Sequence, residues 1–244
     1  MLREIARLLP APMTALVVVA AVALAGPAEA FVIDSFDDPQ SAIAESGNFY
    51  VVNAALGSML GGDRDTIAHY HYGPNSINAE IDDGGSSVYH IGFGAGTFGH
   101  SEVHYDGIGA VGLGGVDFTS GGSLNAVVMH VPLADSPTNI TITARTGLNR
   151  SSLLLSLPGG IASNTTVPFF FDDFVLDFGT GADFAALDRL EVAVRPQAEA
   201  ANVQIDLIET AFVAAAVPEP STYVLAVLGL LGLGLLGWRR KRLA

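Results

Sequence analysis

Residues 139–145 read NITITAR. Ile140, Ile142 and Ala144 alternate with Thr141, Thr143 and Arg145, a period of two that puts the apolar set on one face of a strand and the polar set on the other. The pattern recurs downstream. Leu190, Val192 and Val194 alternate with Glu191, Ala193 and Arg195, and Val203, Ile205 and Leu207 alternate with Gln204, Asp206 and Ile208. Similar short runs stand near 31–36, 49–54, 66–72, 76–81, 87–93, 101–105, 124–131, 151–157 and 167–178. Turn residues separate them, as at Gly61-Gly62-Asp63, Asp82-Asp83-Gly84-Gly85 and Gly121-Gly122. No helical period is sustained and no repeat of fixed length stands out. Asp183 to Arg189 is expected to form one helical turn. Short one-faced strands with turns between them predict an all-β fold, a β-sandwich of jelly-roll type.

Both ends of the chain read differently. Arg3 and Arg7 precede an apolar run from Ala15 to Ala25, and Ala28-Glu29-Ala30 places small residues at the positions a signal peptidase reads. Residues 1–30 are therefore expected to be a secretory signal peptide, cleaved before Phe31. At the other end, Tyr223 to Trp238 is a 16-residue stretch without charge. As a helix it spans about 24 Å against a hydrocarbon core of about 30 Å, a marginal transmembrane helix. Trp238 suits the interface, and Arg239, Arg240, Lys241 and Arg242 would stay on the cytoplasmic side. The body between them, 31–216, is expected to be one β-sandwich domain. It carries five arginines, no lysine and 22 acidic residues, a formal charge of −17. Such a surface repels nucleic acid and favours cations or basic partners. With no cysteine in the chain, disulfides, thiol catalysis and Cys-ligated zinc are excluded.

The tail resembles the PEP-CTERM sorting signal of Gram-negative bacteria in Pro218-Glu219-Pro220-Ser221, the apolar helix and the basic stop at 239–242. The resemblance covers the last 28 residues, 217–244. It implies transient anchoring in the inner membrane and recognition by an exosortase-type membrane protease. It also implies removal of the tail near Pro220, and release or attachment at the cell surface in a setting of exopolysaccharide production. A permanent single-pass anchor is the competing reading. The body resembles, more loosely, galactose-binding-like and carbohydrate-module jelly rolls. The matching pieces are the acidic first strand Ile33 to Asp38, the Gly61-Gly62-Asp63-Arg64-Asp65 turn, Tyr105-Asp106-Gly107, the stretch Gly114 to Thr119, and the last strand Val203 to Ile208.

Candidate sites follow from residue type and spacing. His69 and His71 share one strand face, and so do His100, Glu102 and His104; imidazole and carboxylate at such spacing suit zinc or a similar ion. The cupin pattern is not met, since the next acidic residue after His71 is Glu80. Asp34, Asp37 and Asp38 lie near the start of the body and Asp206 near its end. If the first and last strands are neighbours, these oxygens would converge on a structural calcium. Asp63-Arg64-Asp65 reads as a turn with a local ion pair. Asp172 and Asp173 would point to opposite faces of a strand, which rules them out as a catalytic pair on one face. No Gly-x-Ser-x-Gly elbow occurs. For sugar stacking the body offers Tyr50, Tyr70, Tyr72, Tyr89 and Tyr105 but no tryptophan. Three readings compete: a non-enzymatic surface protein of the exopolysaccharide matrix, a calcium-dependent carbohydrate-binding module, and a metal-dependent enzyme using His69, His71, His100 and His104.

Overall fold

The period-two runs become strands in the computed structural model, which describes residues 30–81 and 85–214. The signal peptide up to Glu29 and the tail from 217, with its helix at 223–238, lie outside the described residues. In chain order the strands are β1 (Phe31–Asp34), β2 (Gln40–Ala44), β3 (Tyr50–Leu56), β4 (Asp63–Tyr72), β5 (Ile77–Ile81), β6 (Tyr89–Phe93), β7 (Phe98–Tyr105) and β8 (Ala126–Val131). They continue as β9 (Leu133–Ala134), β10 (Thr138–Thr146), β11 (Asn149–Leu157), β12 (Thr165–Phe170), β13 (Val175–Phe178), β14 (Arg189–Pro196), β15 (Asn202–Ile205) and β16 (Leu207–Ala211). No α-helix occurs among the described residues; two short 3-10 turns, Leu60–Gly62 and Phe171–Asp173, interrupt the strands.

Seven strands form the largest sheet, in the order β13-β11-β10-β14-β7-β4-β3. Two smaller sheets complete the sandwich, β1-β16-β8-β12 and β2-β5-β6-β15-β9. NITITAR lies at the middle of the large sheet as β10, with Ile142 opposite Val192 of β14 and Leu153 of β11. Ile140, Ile142, Ala144, Leu190, Val192 and Val194 are wholly buried, while Thr141, Thr143, Glu191 and Arg195 point outward. The inward side chains of the large sheet join Ile33, Ile77, Ile91, Met129, Val203 and Ile208 of the smaller sheets in one apolar cluster. Each such side chain contributes about 1.5–3 kcal/mol through burial, which makes the alternation a strong determinant of register. The result is an all-β sandwich of jelly-roll type, as the sequence leads one to expect.

A charged group sits at full depth in this core. Arg64 is wholly buried and donates from Nη1 to Asp34 Oδ2 (2.6 Å), from Nε to Gln40 Oε1 (2.8 Å) and from Nη2 to the Asp38 carbonyl (2.6 Å). Its guanidinium lies over the Phe36 ring, 5.6 Å from the centroid. Asp34 also accepts from the Tyr105 hydroxyl (2.8 Å) and the Phe36 N–H (2.8 Å), and Gln40 Oε1 accepts from Thr66. A buried charge is tolerable only when paired and hydrogen-bonded in this way. The network ties β1 and β2 to β4 and β7. Asp63-Arg64-Asp65 is thus the start of a strand, with Arg64 paired to a residue 30 positions upstream, and the expected local ion pair is corrected.

Other boundaries shift as well. The run 167–178 is two strands in different sheets, parted by the Phe171–Asp173 turn, so Asp172 and Asp173 lie on a 3-10 turn and not on a strand. The run 203–208 breaks at Asp206, where the chain passes from the five-stranded to the four-stranded sheet. Asp183 starts a single turn closed by Ala186 N–H to Asp183 O, and β14 begins at Arg189 without a helix.

Candidate functional site

The register of β4 against β7 assembles what the sequence leaves apart. His69 is directly opposite His100, Ile67 opposite Glu102 and Asp65 opposite His104. The two His-bearing faces, 69/71 and 100/102/104, therefore coincide on the outer side of the seven-stranded sheet. Such close packing of the strands is possible because Gly99 has no side chain: a Cβ there would lie 2.0 Å from the His69 carbonyl oxygen and 2.1 Å from Ile77 Cδ1.

Aromatic rings run continuously across this face. Tyr50 meets His69 edge-on (centroids 4.7 Å), and His69 stacks on His100 (4.1 Å, planes 7° apart). His100 meets His71 at 5.1 Å, His71 meets Phe98 at 5.8 Å, and Phe98 stacks on Tyr72 at 5.6 Å. Strict alternation would send Tyr72 to the side opposite His71. A bulge between Tyr70 and Tyr72 turns it onto Phe98 instead, and bulges commonly re-aim a side chain in this way. Of the five tyrosines in the body, Tyr50 and Tyr72 are more than half exposed, whereas Tyr70, Tyr89 and Tyr105 are buried.

A charged row borders the rings. Glu102 Oε1 lies 3.2 Å from His100 Nε2, and Glu102 Oε2 lies 2.8 Å from His104 Nε2. Arg189 donates to His104 Nδ1 (2.8 Å), which makes that nitrogen the acceptor and leaves the proton on Nε2, facing Glu102. Arg189 also pairs with Glu191 (2.8 Å) and Asp106 (3.4 Å), and Arg145 pairs with Glu191 (2.8 Å). His100 Nδ1 and His71 Nε2 are 3.2 Å apart. Hydrogen bonds from His100 and then His104 hold the Glu102 carboxyl far below the usual carboxylate range. Partial desolvation, with His100 and Arg195 close by, holds His71 below the ordinary histidine value. Burial, with Asp106 and Asp63 near, pushes Asp65 upward. At the Arg189 end the row opens into a depression of about 380 Å³ lined by Asp106, Gly112, Arg145 and Asp188.

His69, His100 and Glu102 form the one group of three among the described residues whose donor atoms all lie within 4.8 Å of one another. The expected calcium cluster is not assembled. β1 and β16 are indeed neighbours, with Asp34 opposite Ile208. But Asp34 is taken by Arg64 and Tyr105, and Asp37 by Ser35 and Ser87. Asp38 binds Ser58, and Asp206 binds Asn164. Side-chain hydrogen bonds hold Asp37, and the Ser58 backbone N–H holds Asp38, below the ordinary carboxylate value. Sequence reasoning missed Arg189, Glu191 and Phe98. Their outward positions follow from strand alternation, but the adjacency of β14 to β7 does not.

Residues 216–242 match the PEP-CTERM protein-sorting motif, which takes in Pro218, Glu219, Pro220, Ser221 and the basic stop at 239–242. The motif marks an exported protein sorted to the cell surface. No curated protein sequence matches the chain. Among solved structures, the chain is similar to the family 11 carbohydrate-binding module of a cellulosomal cellulase of Clostridium thermocellum, at 9% identity and TM-score 0.39, over 77% of this chain and 98% of that one. It is similar to an exo-beta-agarase at 11% identity and TM-score 0.41, over 77% of this chain and 26% of that one. It is also similar to a carbohydrate-binding module in complex with beta-1,4-galactotriose, at 8% identity and TM-score 0.28, over 73% and 91%. These likenesses are weak, and no ligand passes from them to this chain.

Proposed function

We propose that this chain is an exported, non-enzymatic surface protein whose sandwich binds an extracellular polysaccharide on the outer face of the seven-stranded sheet. In this reading an exosortase-type protease removes the tail after transient anchoring in the inner membrane. The observation that carries the binding reading is the row of rings from Tyr50 to Tyr72, exposed at both ends and bordered by Glu102, Arg189, Glu191 and Arg195. Sugar rings present C–H faces that pack on aromatic rings, and their hydroxyls need carboxylate, guanidinium or imidazole partners at the rim. A sheet face supplies both in one plane. The acidic surface of the body disfavours a uronate-rich chain and favours a neutral glycan.

The test is retention of the full-length protein in native gels containing the neutral polysaccharide fraction of its own host. Wild type is expected to be retarded, and Tyr72→Ala or Tyr50→Ala to weaken binding about 10-fold or more while leaving far-UV circular dichroism unchanged. Equal migration of wild type with and without polysaccharide, or equal retention of both variants, would overturn the reading.

A further inference from the structure

We propose that His69, His100 and Glu102 bind one divalent transition ion of the zinc type. This inference rests on its own geometry and not on the glycan reading. Glu102 Oε1 lies 3.2 Å from His100 Nε2 and 3.8 Å from His69 Nε2. Around a tetrahedral ion bonded at about 2.0–2.1 Å, neighbouring donor atoms stand about 3.4 Å apart, so the two distances bracket the requirement. Strand pairing sets this spacing, since His69 and His100 are a cross-strand pair and Glu102 follows two residues along the same face.

A second observation points the same way. His69 Nε2 is shut off from solvent and faces Glu102 Oε1 at 3.8 Å, too far for a hydrogen bond of ordinary length. Buried ring nitrogens are seldom left without a hydrogen bond of ordinary length. An ion between His69 and Glu102 would satisfy it. The surroundings have the form of an outer shell. The second oxygen of Glu102 is held by His104, His104 is oriented by Arg189, and the second nitrogen of His100 faces His71. Groups placed like this fix ligand orientation. Two imidazoles and one carboxylate select zinc-type ions over calcium or magnesium, which prefer all-oxygen sites. Three protein ligands leave one position for water or for an oxygen of a bound molecule. One adjustment is required. The His69 and His100 rings are stacked 7° from parallel, so their lone pairs must turn towards the ion, and the bound state has a wider interplanar angle.

The test is calorimetric titration of the full-length protein, stripped with chelator, with zinc chloride alone. One equivalent of zinc per chain is expected. His69→Ala and Glu102→Gln should each weaken binding at least 10-fold, and His104→Ala about 10-fold through the outer shell. Excess calcium should not displace the ion. Where His69→Ala fails to fold, His69→Gln takes its place. No saturable binding by folded wild type overturns the site, and so does binding that is equal in His69→Gln and Glu102→Gln. Binding displaced by calcium also overturns it, as adsorption to the acidic surface. Tyr72→Ala should bind zinc like wild type, so the glycan reading can fail while the metal site stands.

Discussion

Replacing Arg64 by methionine tests whether the buried network defines the fold. The substitution keeps much of the side-chain volume but removes three donated hydrogen bonds, to Asp34, Gln40 and the Asp38 carbonyl. Gln40 keeps Thr66 as a donor, and Asp34 keeps Tyr105 and the Phe36 N–H. Asp34, 3% exposed, then carries a charge without a counter-ion. Breaking a buried pair from one side costs about 3–5 kcal/mol, a large share of the roughly 5–15 kcal/mol that holds a typical domain. Removing both charges, as in Arg64→Met with Asp34→Leu, leaves only neutral groups short of partners. The double variant is therefore expected to be more stable than Arg64→Met alone by about 1 kcal/mol or more. Urea unfolding of the full-length protein followed by far-UV circular dichroism reads all four corners of this cycle. A loss below about 1 kcal/mol for Arg64→Met, or a double variant as unstable as the two singles summed, would refute the reasoning.

The buried tyrosines make the fold sensitive to alkali. Burial pushes the Tyr89 hydroxyl above its ordinary value, and burial together with the Asp34 carboxylate does the same for Tyr105. In the unfolded chain both would ionise near pH 10, while the folded protein keeps both protons. Their contribution is thus complete below about pH 10 and is lost as pH rises towards their folded values, by about 1.4 kcal/mol per pH unit for each tyrosine. Above about pH 10, unfolding free energies from urea titration should fall with this slope in wild type and with a shallower slope in Tyr89→Phe. The exposed Tyr50→Phe should leave it unchanged, and equal slopes in wild type and Tyr89→Phe would contradict the assignment.

Much of the sandwich was legible because its inward faces are apolar at every second residue, as in β10 and β14. β2 was not, because its pattern is inverted: Gln40, Ala42 and Ala44 face inward and Ile43 is 46% exposed. Gln40 faces inward to serve Arg64, a reason that lies 24 residues away. A separation of 30 residues hid the pairing of Arg64 with Asp34, and its flanking glycines and aspartates look like a turn. Three of the five pieces behind the jelly-roll resemblance each supply a member of this one network: Asp34, Arg64 and Tyr105. Both histidine faces could be read from alternation, but their merging depends on β4 lying beside β7 in register, which only the folded sheet supplies. The position of Tyr72 was unreadable for a similar reason, since a bulge breaks the period that would place it.

A role at the cell surface presupposes that the exported chain is sorted there through its tail. The most direct test is the intact mass of the protein recovered from the surface of its own host. The account expects a chain that begins at Phe31 and lacks Arg239 to Ala244, ending near Pro220, with any surplus mass reporting a group attached at the new terminus. A mass that still contains the basic stop would mean a permanent anchor, and the sorting account would have to be withdrawn.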